Sequence, residues 1–248
     1  MYKFFIKTEQ IDNKKVVILG TDVNHIINVL RLKEKEQIQV CDMGTSKNYI
    51  VEIEEYNKEQ VKCCIIDEVQ SEVESNIKLD IYQGLPKSDK MELIIQKTTE
   101  LGVSKIIPVS MERCIVKLTG KDVQKKIERW QKIAEVAAKQ SKRDIIPKIE
   151  KVKTIKQICE KIREYDCFIV AYEEEKNIRL KQILKQLPKN KELKIGVLIG
   201  PEGGIDEKEI KELEKNDVKI VTLGNRILRT ETAPIMVAGI ILYELEGE

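Results

Sequence analysis

Histidine is almost missing from this 248-residue chain, which has one, and aromatic residues make up only 4% of it. Six cysteines are present, yet none forms a Cys-x-x-Cys pair and a single imidazole stands beside them, so the ligand spacing of a zinc site is absent. Cys41, Cys63, Cys64, Cys114, Cys159 and Cys167 are therefore expected as reduced thiols in apolar positions, and no metal is expected. No stretch approaches the roughly 18 to 20 apolar residues of a membrane span, and the opening Met1-Tyr2-Lys3-Phe4-Phe5-Ile6-Lys7 breaks off too soon for a secretory leader. A cytoplasmic protein without a membrane partner is the expectation. Internal repeats and low-complexity tracts are lacking too.

What is present is an apolar fraction of 42% and a charged fraction of 35%, ordinary for a folded chain with solvated helix faces. The length suits two domains. The formal net charge of +2 hides an uneven distribution. Residues 1–75 hold 10 Lys+Arg against 14 Asp+Glu, residues 76–153 hold 18 against 10, and residues 154–248 hold 16 against 18. A basic middle segment between two acidic ones fits a local polyanion contact, because phosphate binding depends on where cations cluster. On charge alone, a solvated lysine-rich helix face explains it equally well.

Up to about residue 74 the pattern is of short strands, at Phe4–Ile6, Val16–Leu19, Gln37–Val40, Tyr49–Ile53 and Val61–Ile66. One short helix interrupts them, with Thr21 as cap and Val23, Ile26, Ile27 and Leu30 at helical spacing. Five strands and one helix suggest a small barrel. Past the polar run Glu72-Val73-Glu74-Ser75-Asn76 the rhythm becomes strands alternating with longer helices, which sets a domain boundary between residues 74 and 75. Strands are expected at Leu79–Gln83, Lys105–Val109, Cys167–Tyr172, Lys194–Ile199 and Lys219–Leu223. Helices are expected from a Ser88 cap to Gly102, over 123–140, 154–163 and 178–186, from an Asp206 and Glu209 capping box, and from Pro234 onward. Near-continuous apolar strands such as Ile195-Gly196-Val197-Leu198-Ile199 predict an α/β domain, a parallel sheet with helices on both faces. Trp130 shares the apolar face of its helix with Ile127 and Ala134 and is expected in the core. His25 is read as a packing residue of its helix.

Ligands of open α/β sheets bind beyond the carboxyl ends of strands, so the loops after Ile199 and Leu223 are the places to search. The first, Gly200-Pro201-Glu202-Gly203-Gly204, combines a rigid turn with backbone that a flat ligand can approach closely. It has neither the Gly-x-Gly-x-x-Gly spacing of a dinucleotide fold nor a Gly-Lys-Ser/Thr ending, which disfavours pyrophosphate ligands. The second, Gly224-Asn225-Arg226-Ile227-Leu228-Arg229-Thr230-Glu231-Thr232-Ala233-Pro234, sets two arginines, a carboxylate and two hydroxyls directly before a helix. Plain surface ions and a helix cap would also account for it.

The pair Ile199–Gly204 and Leu223–Ala233 closely resembles the signature loops of the RsmE family, uridine-N3 methyltransferases of 16S ribosomal RNA in the SPOUT superfamily. The segments Leu85–Glu92, Gln96–Val103, Arg113–Lys117, Gln140–Arg143 and, near the start, His25–Arg31 are similar to that family as well. The resemblance implies a PUA-like RNA-docking β-barrel over 1–74 and a SPOUT methyltransferase domain over 75–248 whose C-terminal part threads a deep trefoil knot. It implies S-adenosyl-L-methionine as cofactor, a homodimer, and 16S rRNA as partner, presented in the assembled small subunit. By the same route Ala171, Ile199, Gly200, Pro201, Glu202, Gly203, Leu223, Gly224, Ile227, Leu228, Arg229 and Thr230 would hold the cofactor. S-adenosylmethionine carries its own electrophile, so a protein that uses it must mainly grip and orient. The proton on uridine N3 must leave, which makes Arg229 and Arg226 candidate stabilisers of the developing anion and Glu231 a candidate base. RNA contacts are expected from Arg31, Lys87, Lys90, Arg113, Lys117, Gln140 and Arg143. Two other readings stay open, a methyltransferase of another RNA nucleotide and a non-enzymatic RNA-binding assembly factor with the same fold.

Overall fold

The computed structural model describes residues 1–117, 120–189 and 191–246. It divides into two compact units, one of Met1–Glu74 with Ser141–Ile145, the other of Ser75–Gln140 with Ile146–Glu248.

In the first unit the strands β1 (Lys3–Ile6), β2 (Ile11–Asp12), β3 (Lys15–Leu19), β4 (Gln37–Asp42), β5 (Asn48–Tyr56) and β6 (Gln60–Val69) form one sheet in the order β1-β4-β5-β6-β3-β2. Only the β1–β4 pair is parallel. Alternation places Val51 and Ile53 of β5 opposite Ile65 and Cys63 of β6, and they bury a core with Phe4, Ile6, Ile18 and Ile38. The short helix α1 (Thr21–Asn24) widens into a π-helical turn over His25–Val29. Ile26 faces the core there, while His25 stays exposed and meets the Phe4 ring edge-on at 6.0 Å.

The segment Ser141–Ile145 joins this first unit, which the alternation of strands and helices along the chain gives no hint of. Charge holds it there. The Arg143 guanidinium pairs with Glu74, its Nη2 2.6 Å from Oε2, and Glu74 Oε1 accepts the backbone N–H groups of Asp144 and Ile145. Asp144 in turn accepts from the buried ammonium of Lys3 and from Asn48. Burial would raise the Asp144 carboxyl, but the bonds from Lys3, Ser71 and Asn48 outweigh it and hold the group below the usual carboxylate range.

In the second unit every strand pairing is parallel, and the sheet runs β10 (Lys153–Thr154), β8 (Lys105–Ser110), β7 (Ile77–Gly84), β12 (Leu193–Ile199), β11 (Cys167–Ala171), β13 (Val218–Val221), with β9 (Lys148–Ile149) beside β8. Among the described residues six α-helices accompany it: α2 (Lys90–Leu101), α3 (Lys121–Gln140), α4 (Ile155–Cys159), α5 (Leu180–Leu184), α6 (Glu207–Leu213) and α7 (Thr232–Leu245). On α2, Met91, Ile94, Ile95 and Thr98 are buried at helical spacing, and Gly102 ends the helix in the left-handed region at φ +108. Trp130 and Ala134 of α3 are buried with the sheet core. The Asp206 capping box forms as the sequence predicts, with Glu209 reaching back to the Asp206 N–H.

Some boundaries differ from the periodicity. Asp89, not Ser88, stands at the head of α2 and makes no side-chain cap, and Ser88 before it takes a left-handed φ of +55. The helix expected over 154–163 ends at Cys159 and gives way to a 3-10 turn at Ile162–Glu164. The helix expected over 178–186 shrinks to Leu180–Leu184, since the Glu175 carboxylate takes the N–H groups of Asn177 and Ile178 and keeps that stretch a loop. Among the described residues no helix is long and apolar enough to cross a membrane. All six cysteines are free thiols, four of them buried, and burial pushes Cys41 and Cys63 up to about 12.

Candidate active site

Strands β7, β12, β11 and β13 end together. One row of the sheet runs through Gln83, Ile199, Ala171 and Val221, so the loops that follow these residues open on the same edge. The loops after β12, β11 and β13 line a cavity of about 800 Å³.

The floor of one side is the glycine loop. Its turn is closed by the Gly204 N–H donating to Pro201 O at 3.0 Å, with Gly204 at φ +73. A Cβ added to Gly84 would lie 2.6 Å from Pro201 Cδ, so only glycine lets β7 and the loop approach this closely. Arg113 braces the loop from outside, its Nη1 donating to Gly203 O at 3.2 Å and its Nε 3.4 Å from Asp206. Glu202 Oε1 accepts the Lys87 N–H at 3.0 Å and the Lys90 ammonium at 2.9 Å. Burial would raise the Glu202 carboxyl, yet the Lys90 and backbone bonds hold it below the usual range.

The arginine loop forms the facing side. Gly224 turns it at φ +121, and Arg229 O accepts the N–H groups of Thr232 and Ala233 to start α7. Thr230 is buried and donates its hydroxyl to Gly200 O at 2.7 Å, which ties the two loops together. Arg226 and Arg229 stay exposed at the rim. Glu231 lies with its Oε1 3.9 Å from Arg229 Nη1 and its Oε2 3.3 Å from Lys90 Nζ. The third wall is the turn after β11, where Tyr172 donates its N–H to Val221 O at 3.0 Å.

Ala171, Ile199, Gly200, Pro201, Glu202, Gly203, Leu223, Gly224, Arg226, Ile227, Leu228, Arg229 and Thr230 all line this cavity, and Glu231 adjoins it through Lys90. Glu173, Glu175, Lys176 and Thr222 line it too. No motif marks those four; only the ending of β11 beside β12 and β13 brings them in.

The residues read as RNA contacts fall into three groups. Arg31, Lys87, Lys117 and Gln140 are exposed. Arg143 is not: it is 3% exposed and paired with Glu74, so its expected role as a phosphate contact is corrected to a structural one inside the first unit. Lys90 and Arg113 are engaged at the cavity, by two carboxylates and by the glycine loop.

The model of the family described as RNA methyltransferase domain matches residues 73–242, and that of the RNA methyltransferase PUA domain matches residues 18–66. A ribosomal RNA small subunit methyltransferase E from Bacillus subtilis is 39% identical over 253 aligned residues, 99% of this chain and 98% of that one. The protein of the same description from Mesomycoplasma hyopneumoniae is 33% identical over 95% of this chain and 96% of its own. The crystal structure of a ribosomal RNA small subunit methyltransferase E from Neisseria gonorrhoeae bound to S-adenosyl methionine superposes with a TM-score of 0.85, at 29% identity, covering 99% of this chain and 98% of the other. With two independent domain matches and sequence identity spread over nearly its whole length, this chain belongs to the ribosomal RNA small subunit methyltransferase E family, the RsmE family that its two loops resemble.

Proposed function

We propose that this chain moves the methyl group of S-adenosylmethionine to N3 of a uridine in 16S ribosomal RNA. The observation that carries the reading is the cavity at the ends of β11, β12 and β13, walled by loop backbone and rimmed by Arg226 and Arg229, with Glu231 adjoining it through Lys90. Its volume lies within the roughly 300–1,000 Å³ typical of small-molecule sites. Its walls suit an adenosyl group: Ala171, Leu223 and Leu228 offer apolar surface, and the glycines let backbone donors and acceptors reach a flat ring. The relative from Neisseria gonorrhoeae, with S-adenosyl methionine bound, supports the same reading.

The cofactor supplies a methyl group already activated on a sulfonium sulfur, so no nucleophilic side chain is required. The chain's own contribution is to fix the reacting nitrogen in line with that methyl and to manage the N3 proton, and such alignment is worth up to about 7–11 kcal/mol. Arg229 and Arg226, exposed at the rim, offer positive charge to the N3 anion as its proton departs. Glu231 offers a carboxylate to that proton, directly or through water. Arg31, Lys87, Lys117 and Gln140 remain as exposed contacts for RNA, and such lysine and arginine contacts give an affinity that falls steeply with salt.

The resemblance extends the proposal to a homodimer with the C-terminal part of the chain knotted. Ile227, Ile240 and Tyr243 leave apolar side chains exposed on the arginine loop and α7, which supports a partner surface there. Calorimetry with S-adenosylhomocysteine tests the cavity, and mass analysis of 16S rRNA from cells with and without this chain tests the product. A missing N3-methyluridine in the deletion strain that returns on complementation supports the proposal; an unchanged modification map overturns it.

A further inference from the structure

Gln83 is fully buried in the apolar end of β7, where an amide is costly unless its hydrogen bonds are made. Its Nε2 donates to Gly84 O at 2.9 Å and to Thr230 Oγ1 at 3.0 Å, with Gly200 O at 3.4 Å. Thr230 in turn donates its hydroxyl to Gly200 O at 2.7 Å. The result is a directional chain, Gln83 to Thr230 to Gly200, that joins the β7 end to both cavity loops across sequence separations of 117 and 147 residues. The amide orientation follows from its neighbours, since turning it over would set Oε1 against the carbonyl oxygens of Gly84 and Gly200. In the orientation observed, Oε1 is buried with no hydrogen-bond partner among the described residues.

A leucine or methionine would fill this position without an orphaned acceptor, so packing alone does not explain a glutamine here. We infer that Gln83 is a positioning residue for methyl transfer: through Thr230 it sets the distance between the glycine loop and the arginine loop, without itself touching the donor. The inference rests on the reading of the cavity as the S-adenosylmethionine site. The two loops must meet the ligand from opposite sides, and a small change in their spacing moves the methyl relative to Arg229. Gln83 belongs to no recognisable motif, and its place in the row with Ile199 and Ala171 puts it directly beneath both loops.

The test compares Gln83→Leu, Thr230→Val and Thr230→Ser with the parent chain in thermal unfolding, S-adenosylhomocysteine calorimetry, and kcat and KM for methylation. Gln83→Leu is expected to unfold at or above the parent's temperature while losing about tenfold or more in ligand affinity or kcat. Thr230→Val should match it, Thr230→Ser should restore most of the loss, and the Gln83→Leu/Thr230→Val pair should be no worse than either single change, because one chain of bonds is cut twice. A folded Gln83→Leu chain whose affinity and kcat stay within about twofold of the parent overturns the inference. Should that variant fail to fold, the Thr230→Val and Thr230→Ser pair decides, and equal behaviour of those two overturns it. A parent chain that binds no S-adenosylhomocysteine defeats the cofactor reading itself, a separate failure seen before any variant is made.

Discussion

The Lys90 ammonium stands 3.3 Å from Oε2 of Glu231. The same ammonium is 2.9 Å from Glu202, so one cation from the start of α2 neutralises a carboxylate from each of the two cavity loops. A lysine that the chain's basic middle segment offers as a phosphate contact is, in the folded protein, part of the site.

Removing that cation takes from both carboxylates the ammonium they share and leaves Glu231 with Arg229 at 3.9 Å. Lys90→Met should lower methylation at saturating cofactor by about tenfold or more, through misplacement of Glu231. RNA affinity should keep the salt dependence of the parent. A reduced salt slope with an unchanged rate would return Lys90 to a phosphate role.

Arg229→Ala and Glu231→Gln address the chemistry directly. Loss of an electrostatic stabiliser in a transition state costs on the order of 10²–10³ in rate, which single-turnover assays at saturating cofactor will read. Rates within about threefold of the parent would remove both residues from the chemical step.

Gly84→Ala is expected to weaken cofactor binding even though Gly84 lines no cavity wall. The added Cβ would meet the Pro201 ring at 2.6 Å and the Pro201 backbone nitrogen at 2.7 Å, and neither can swing aside as a long side chain could. The glycine loop must move instead. About a tenfold loss in S-adenosylhomocysteine affinity by calorimetry is expected, as a displaced loop costs alignment.

In the first unit, Asp144→Asn breaks a buried pair and leaves the Lys3 ammonium uncompensated, so it should destabilise by about 3–5 kcal/mol at neutral pH. The Asp144 carboxyl is held below its ordinary range, so its contribution is complete above an unfolded value of about 3.9 and fades as pH falls through the lower folded value. Urea unfolding should therefore show the gap between parent and variant narrowing below about pH 4. A gap that stays constant into acid would show that the charge of Asp144 is not what holds the segment.

Arg143→Ala distinguishes a structural arginine from an RNA contact. Arg143 is buried against Glu74, so the variant should melt at a lower temperature while the salt slope of RNA binding is unchanged. Lys87→Ala should do the reverse, reducing that slope by about one phosphate contact with little effect on melting.

Local pattern carried much of the fold. Alternating strands in the first unit, the left-handed stop at Gly102, the Asp206 capping box and the apolar run of β12 are all set by nearest neighbours, and each has its signature in a few consecutive residues. The two cavity loops were legible for the same reason, since glycine, proline and clustered arginines are unusual within one short span. The end of α4 at Cys159 and the late start of α5 at Leu180 were not, because bonds such as those from Asn177 and Ile178 to Glu175 depend on how a loop folds back.

By itself the sequence determined where most strands and helices form and singled out the two loops that line the cavity, because turn-forming residues and apolar periodicity act over a few residues. Only the tertiary structure decided that Gln83 lies beneath both loops, that Lys90 serves Glu231, and that Arg143 turns inward to Glu74. Those relationships join residues far apart in the chain. Burial and charge pairing there are properties of the closed sheet and of its neighbours in space, and no local spacing encodes them.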